Sequence, residues 1–174
     1  MNKSKTIALC AVSTAFALVF LTIGAYVPDL DLSCIFMASL CMMLPLTKQS
    51  VKGAFLTYLA TVLLSFLLTG VRLQVIIPFA MFFGIHPIIN DIVFTKTKKK
   101  YTKILLFFVK ALWFIGTLYV TYYFTQMFVG INEKIAKYIK IIIPTVGFLF
   151  FIAYDFIMIR FQITANILIQ RLKL

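Results

Sequence analysis

Acidic residues and histidine are scarce in this chain: Asp and Glu together number 5, and His86 is the single histidine in 174 residues. Metal-dependent and hydrolytic sites draw several such side chains into one cavity, and His86 has no second imidazole with which to share a metal or a relay. No HExxH, GxSxG, GxGxxG or GxxxxGK[ST] pattern occurs, so metallopeptidase, serine hydrolase, dinucleotide and ATPase chemistry all lack their framework. We expect no enzyme, no metal and no cofactor. Cys10, Cys34 and Cys41 are odd in number and form no CxxC pair, which speaks against a disulfide framework or zinc and for packing.

Apolar residues are abundant instead. They make up 63% of the chain, against about 45–50% in a soluble domain. With 13% charged residues and a mean hydropathy of +1.04, disordered, fibrous and nucleic-acid-binding classes are excluded. The chain reads as an all-α integral membrane protein forming one domain over residues 1–174, with the lipid bilayer as its solvent. A span needs roughly 20 apolar residues to cross about 30 Å of hydrocarbon. Six runs qualify as candidates: 7–27, 32–46, 51–70, 74–94, 104–129 and 139–161, the last with an apolar continuation to Leu168. The run 7–27 exceeds the core of a signal peptide, so we expect a retained first span. The run 32–46 is short and follows Pro28, Asp29 and Asp31, which predicts a tilted, re-entrant or broken segment.

The net charge of +12 reads as a topology signal. With the amino terminus inside, the inner segments hold Lys3, Lys5, Lys48, Lys52, Lys96, Lys98, Lys99, Lys100, Lys103, Arg171 and Lys173. The outer loops hold only Arg72, Lys134, Lys137 and Lys140. Positive charge accumulates on the cytoplasmic side, so both termini are expected there. The lysine-rich composition suits a bacterial plasma membrane.

Two polar layers follow. The inner layer gathers His86, Asp91, Lys110, Asp155 and Arg160 at membrane depth. An isolated charge there costs at least about 2.5–3.5 kcal/mol, so Asp155 or Asp91 is expected to pair with Lys110 or Arg160. Such a cluster serves as a clasp between helices, as an ion relay or as a partner contact. Asp91 and Asp155 also leave an intramembrane aspartyl pair open, although neither carries a flanking glycine signature. The outer layer holds Asp29, Asp31, Arg72 and Gln74 around an entrance. Gly116, Tyr119, Tyr123 and Gln126 recur at helical spacing toward the same surface, forming either a small-molecule pocket or an aromatic belt at the headgroups. In the first span, Ala11 and Ala15 make an AxxxA spacing that lets another helix approach closely, within the bundle or from a partner subunit.

These features together resemble the substrate-binding S component of energy-coupling factor transporters. The resemblance is carried by KTIALCAVSTAFALVF with Ala11 and Ala15, the PDLDLS loop from Pro28 to Ser33, and six spans with both termini inside. It implies that Ala11 and Ala15 meet a transmembrane coupling subunit attached to cytoplasmic ATPases. It also implies that Asp29 and Asp31 belong to a loop closing an outer site built largely by the last three spans. The polar signatures of the vitamin-specific members find no match here, so the resemblance leaves the solute open. The expected function is a membrane-embedded binding subunit for a small solute. The alternatives are a stand-alone ion-coupled carrier or channel, and a membrane scaffold or assembly factor that transports nothing.

Overall fold

The computed structural model describes residues 3–27, 29–70, 72–96, 100–128 and 133–171. Its elements are α1 (Lys3–Tyr26), α2 (Asp31–Cys41), α3 (Met43–Leu46), α4 (Val51–Leu68), α5 (Leu73–Pro78), a π-helical turn (Phe79–Phe83), α6 (His86–Lys96), α7 (Lys100–Phe128) and α8 (Glu133–Arg171). No strand occurs among the described residues. Apolar runs of this length fold as helices because hydrocarbon offers no partner to a free N–H or C=O, and a helix satisfies both internally.

Many large apolar side chains face outward, unlike those of a soluble domain, while several polar ones are enclosed. Leu67 is 80% exposed and Leu112 71%, whereas Ser13, Thr61, Ser65, His86 and Asn90 are buried. Among the described residues, five helical segments are long and apolar enough to cross a membrane: Ser4–Tyr26, Val51–Leu68, Leu73–Val93, Tyr101–Phe124 and Ile141–Ile167. This arrangement is compatible with a multi-pass membrane protein. Leu73–Val93 is the most enclosed of the five and forms the axis of the bundle.

The expected sixth span does not reach this length. Asp31–Leu46 forms the shorter apolar pair α2 and α3, about 24 Å long at 1.5 Å per residue, and breaks at Met42. Proline explains the break. Pro45 has no N–H, so the carbonyl of Cys41, four residues earlier, loses its helical partner. The Ser13 hydroxyl of α1 donates to that carbonyl. The same solution recurs on the axis, where Pro87 orphans the carbonyl of Phe83. There the Ser39 hydroxyl of α2 donates at 2.6 Å. In the π-helical turn the Gly84 N–H bonds to the carbonyl of Phe79 at 2.8 Å instead of that of Ala80. Tyr58 of α4 donates its hydroxyl to the freed Ala80 oxygen at 2.6 Å. These three freed carbonyls are thus each satisfied by a side chain from another helix.

Alternating spans give the bundle an amino-terminal face, where α1 and α7 start, and a far face, where α1 ends. Arg72 ties the far ends together, donating to the Ala25 carbonyl at 2.7 Å and stacking 4.4 Å over the Tyr26 ring. Close approach of α1 and α2 depends on Gly24, where a Cβ would fall 2.8 Å from the Cβ of Cys34. Gly24→Leu is expected to destabilise by about 1–3 kcal/mol in detergent-micelle unfolding. Gly116→Ala, at a site with no atom within 4 Å, is the control and should show no loss.

Candidate functional site

Three helices converge on one carboxylate near mid-depth. Asp155 of α8 accepts from Lys110 Nζ of α7 at 2.6 Å and from Asn90 Nδ2 of α6 at 3.4 Å. Lys110 Nζ also donates to Asn90 Oδ1 at 2.8 Å. His86 Nε2 lies 3.0 Å from the same Asp155 oxygen, without hydrogen-bond alignment, and His86 Nδ1 has no partner. His86, Asn90, Lys110 and Asp155 are all buried. The helical repeat accounts for the convergence, since His86 and Asn90 stand four apart on one face of α6. Lys110 and Asp155 meet, one of the pairings the sequence leaves open. The structure divides the other candidates. Asp91 accepts from Gln162 Nε2 at 2.8 Å, and Arg160 is exposed with its guanidinium 5.3 Å from the Phe156 ring centre. The two carboxylates Asp91 and Asp155 therefore hold separate partners and form no aspartyl pair.

Above the cluster, toward the far face, lies an aromatic plug. Phe82 stands at its centre, 4.9 Å from Phe114, 5.3 Å from Trp113, 5.8 Å from Tyr154 and 4.8 Å from His86, measured between ring centres. Below it a cavity of about 210 Å³ reaches Asn90, Lys110 and Asp155, with Lys103, Phe107 and Ile159 on the side of the amino-terminal face.

A larger recess lies between α2 and α8. It measures about 320 Å³ and is lined by Leu32, Ser33, Phe36 and Met37 from α2 and by Phe150, Ala153, Tyr154 and Ile157 from α8. An adjoining apolar space of about 270 Å³ shares Leu32 and Phe150 with it and continues to Phe114, Leu118 and Val146. The Tyr154 hydroxyl points away from this recess in its bonding: Ser39 gives its single proton to Phe83, so Tyr154 donates to Ser39, at 2.9 Å. The wall is therefore almost wholly apolar, with Ser33 as its polar edge.

The residues expected to bind solute stand elsewhere. Arg72 is committed to Ala25 and Tyr26, and Gln74 is exposed. Asp31 accepts the N–H of Leu32 at 2.7 Å, and Asp29 takes a positive φ of 66° that turns the chain into α2. Tyr123 is 56% exposed and Gly116 is open, while Tyr122 is buried. The face of α7 bearing Gly116 and Tyr123 thus looks outward, and Tyr119, partly buried on α7, does not line the recess. The side chains of Gln126, Lys134, Lys137 and Lys140, and residues 97–99 and 129–132, lie outside the described residues. Ala11 and Ala15 are both exposed, whereas Ser13, Ala17 and Leu21 on the other side of α1 are buried. The AxxxA spacing therefore does not pack within the bundle.

Sequence reasoning missed the recess residues Phe36, Met37, Phe150 and Ala153. Their signal was faint, because an apolar wall and a lipid-facing helix surface share one composition. No group of three or more His, Cys, Asp and Glu side chains able to hold a metal occurs among the described residues. The fold is an all-helical bundle, among the described residues, with five apolar helices long enough to span a membrane, an apolar recess and a buried ion pair. No known protein family, curated protein or solved structure matches the chain.

Proposed function

We propose that this chain is a non-catalytic subunit of the plasma membrane, bacterial by composition, that binds a small solute for an importer driven by separate ATPase subunits. The observation that carries this reading is the recess of about 320 Å³ between α2 and α8, a size suited to a small ligand. Its apolar wall favours a solute with a flat or branched apolar body. The exposed Ala11 and Ala15 on α1 support the reading further, offering a coupling subunit a surface on which two helix backbones approach closely. Both termini face the cytoplasm in this reading, following the lysine bias of the loops.

The test is a stability screen of the purified chain against vitamins, nucleobases and amino acids. A binder at about 100 times its Kd should stabilise by about 2.7 kcal/mol. Ala153→Trp, which fills the recess, should abolish that stabilisation. Ala11→Leu with Ala15→Leu should leave it intact while cutting cellular uptake and co-purification with ATPase subunits. Solute transport by the chain alone in liposomes would instead favour an ion-coupled carrier. A chain that binds nothing in the screen would favour a scaffold.

A further inference from the structure

The buried ion pair has a feature that a purely structural clasp does not need, namely access from one face. Lys110 stands nine residues inside the span that starts at Tyr101, about 14 Å deep at 1.5 Å per residue, close to the middle of the hydrocarbon. The cavity of about 210 Å³ nevertheless reaches it, and that space holds several waters at about 30 Å³ each. Its floor supplies the polar partners that ordered water needs: Asn90, Lys110 and Asp155. Lys110 spends two of its three N–H donors on Asn90 and Asp155, leaving one for whatever enters. On the other side the path ends against Phe82, Phe83, Phe114 and Phe151, each at most 1% exposed. His86 lies between floor and plug, fully buried, with Nδ1 unpartnered and Nε2 against Asp155.

We propose that His86, Lys110 and Asp155 form a proton-binding site reached by water from the amino-terminal face alone and closed from the far face by the Phe82 plug. The ligand is a proton delivered by hydronium. Hydronium gives its proton to the imidazole through Asp155, water is released, and His86 becomes imidazolium, with Asp155 the shared counter-ion of two cations. The groups around His86 make this specific. On α6 its own element supplies Asn90, while Asp91 is bound to Gln162. Lys110 comes from α7, Tyr154 and Asp155 from α8, and Ser39 from α2 through Tyr154. The residues of α3 and α4 packed against α6 include Leu46, Ala54 and Tyr58, and Lys52 is exposed. Asp155 is thus the anion in contact with His86. The site is independent of the solute-binding reading, since a binding subunit or a carrier could house it.

Trp113, the single tryptophan of the chain, is a built-in reporter, because its ring packs on Phe82 and Phe82 packs on His86. Trp113 emission of the full chain, titrated from about pH 4 to 9, should show a one-proton step. His86→Gln should remove it. A flat titration, or an unchanged step in His86→Gln, overturns the proposal. Should His86→Gln fail to fold, Val93→Cys on the cavity wall decides, in a chain with Cys10, Cys34 and Cys41 replaced by alanine. In vesicles a membrane-impermeant thiol reagent should label it from the amino-terminal face only, and the labelled chain should lose the step. Labelling from the far face, no labelling from either side, or an undiminished step after labelling overturns the proposal.

Discussion

Asp155→Ala is expected to lower the unfolding free energy of the bundle by about 3–5 kcal/mol, the usual cost of leaving a buried charge without its partner. The carboxylate is 2.6 Å from Lys110 Nζ, and both side chains are buried. Without it, Lys110 keeps only the Asn90 oxygen at 2.8 Å, and His86 loses its neighbouring anion. Asp155→Asn keeps the shape but removes the charge, and should be destabilised almost as much. Lys110→Met combined with Asp155→Leu removes both charges, and should recover most of the loss, because a well-packed apolar pair often replaces a buried ion pair without penalty. Unfolding of the four proteins in mixed micelles measures this. If Asp155→Ala costs less than about 1 kcal/mol, the three-helix clasp is not a determinant of stability.

Phe82→Ala should cost a similar amount, about 3–5 kcal/mol, for a different reason. Lipid tails are as apolar as the bundle interior, so the transfer of the ring out of water contributes nothing between helices. What the variant loses is contact. Phe82 is fully buried, with Phe83, Trp113, Phe114, Phe151 and Tyr154 around it in edge-on and tilted geometries. Truncation leaves a void that no single neighbour can fill, and the dispersion energy of each facing ring falls. Phe82→Leu keeps much of the volume and should cost less than about 1.5 kcal/mol. Equal losses for the two variants would show that ring-specific contacts, not filled volume, carry the stability here.

The helical architecture was legible in the sequence because the length and spacing of apolar runs depend on local composition alone. The weakness of 32–46 was legible for the same reason, and that run became the broken pair α2 and α3. The Lys110–Asp155 contact could be anticipated since the cost of a lone charge in hydrocarbon forces a partner. Which acid would take which base depends on helix rotation. Arg160 therefore fell outside the cluster and Asp91 turned to Gln162. The same uncertainty governs Tyr123: the spacing of Gly116, Tyr119 and Tyr123 fixes a shared face without saying whether it looks inward, and Tyr123 looks outward. The recess was invisible because Phe36, Met37, Phe150 and Ala153 carry no chemical mark that separates them from lipid-facing residues. The prolines at 45 and 87 predict two orphaned carbonyls, but only packing brings Ser13 and Ser39 to them.

The direction of those rescuing bonds bears on how the polypeptide enters the bilayer during synthesis. Ser13 precedes the Cys41 carbonyl it serves, Ser39 precedes Phe83, and Tyr58 precedes Ala80. A ribosome delivering this chain from its amino end therefore hands the membrane each hydroxyl before the interrupted segment that needs it. Those three carbonyls emerge beside a neighbour already equipped to receive them, and a permuted chain beginning at α4 would lose that protection for the Phe83 carbonyl.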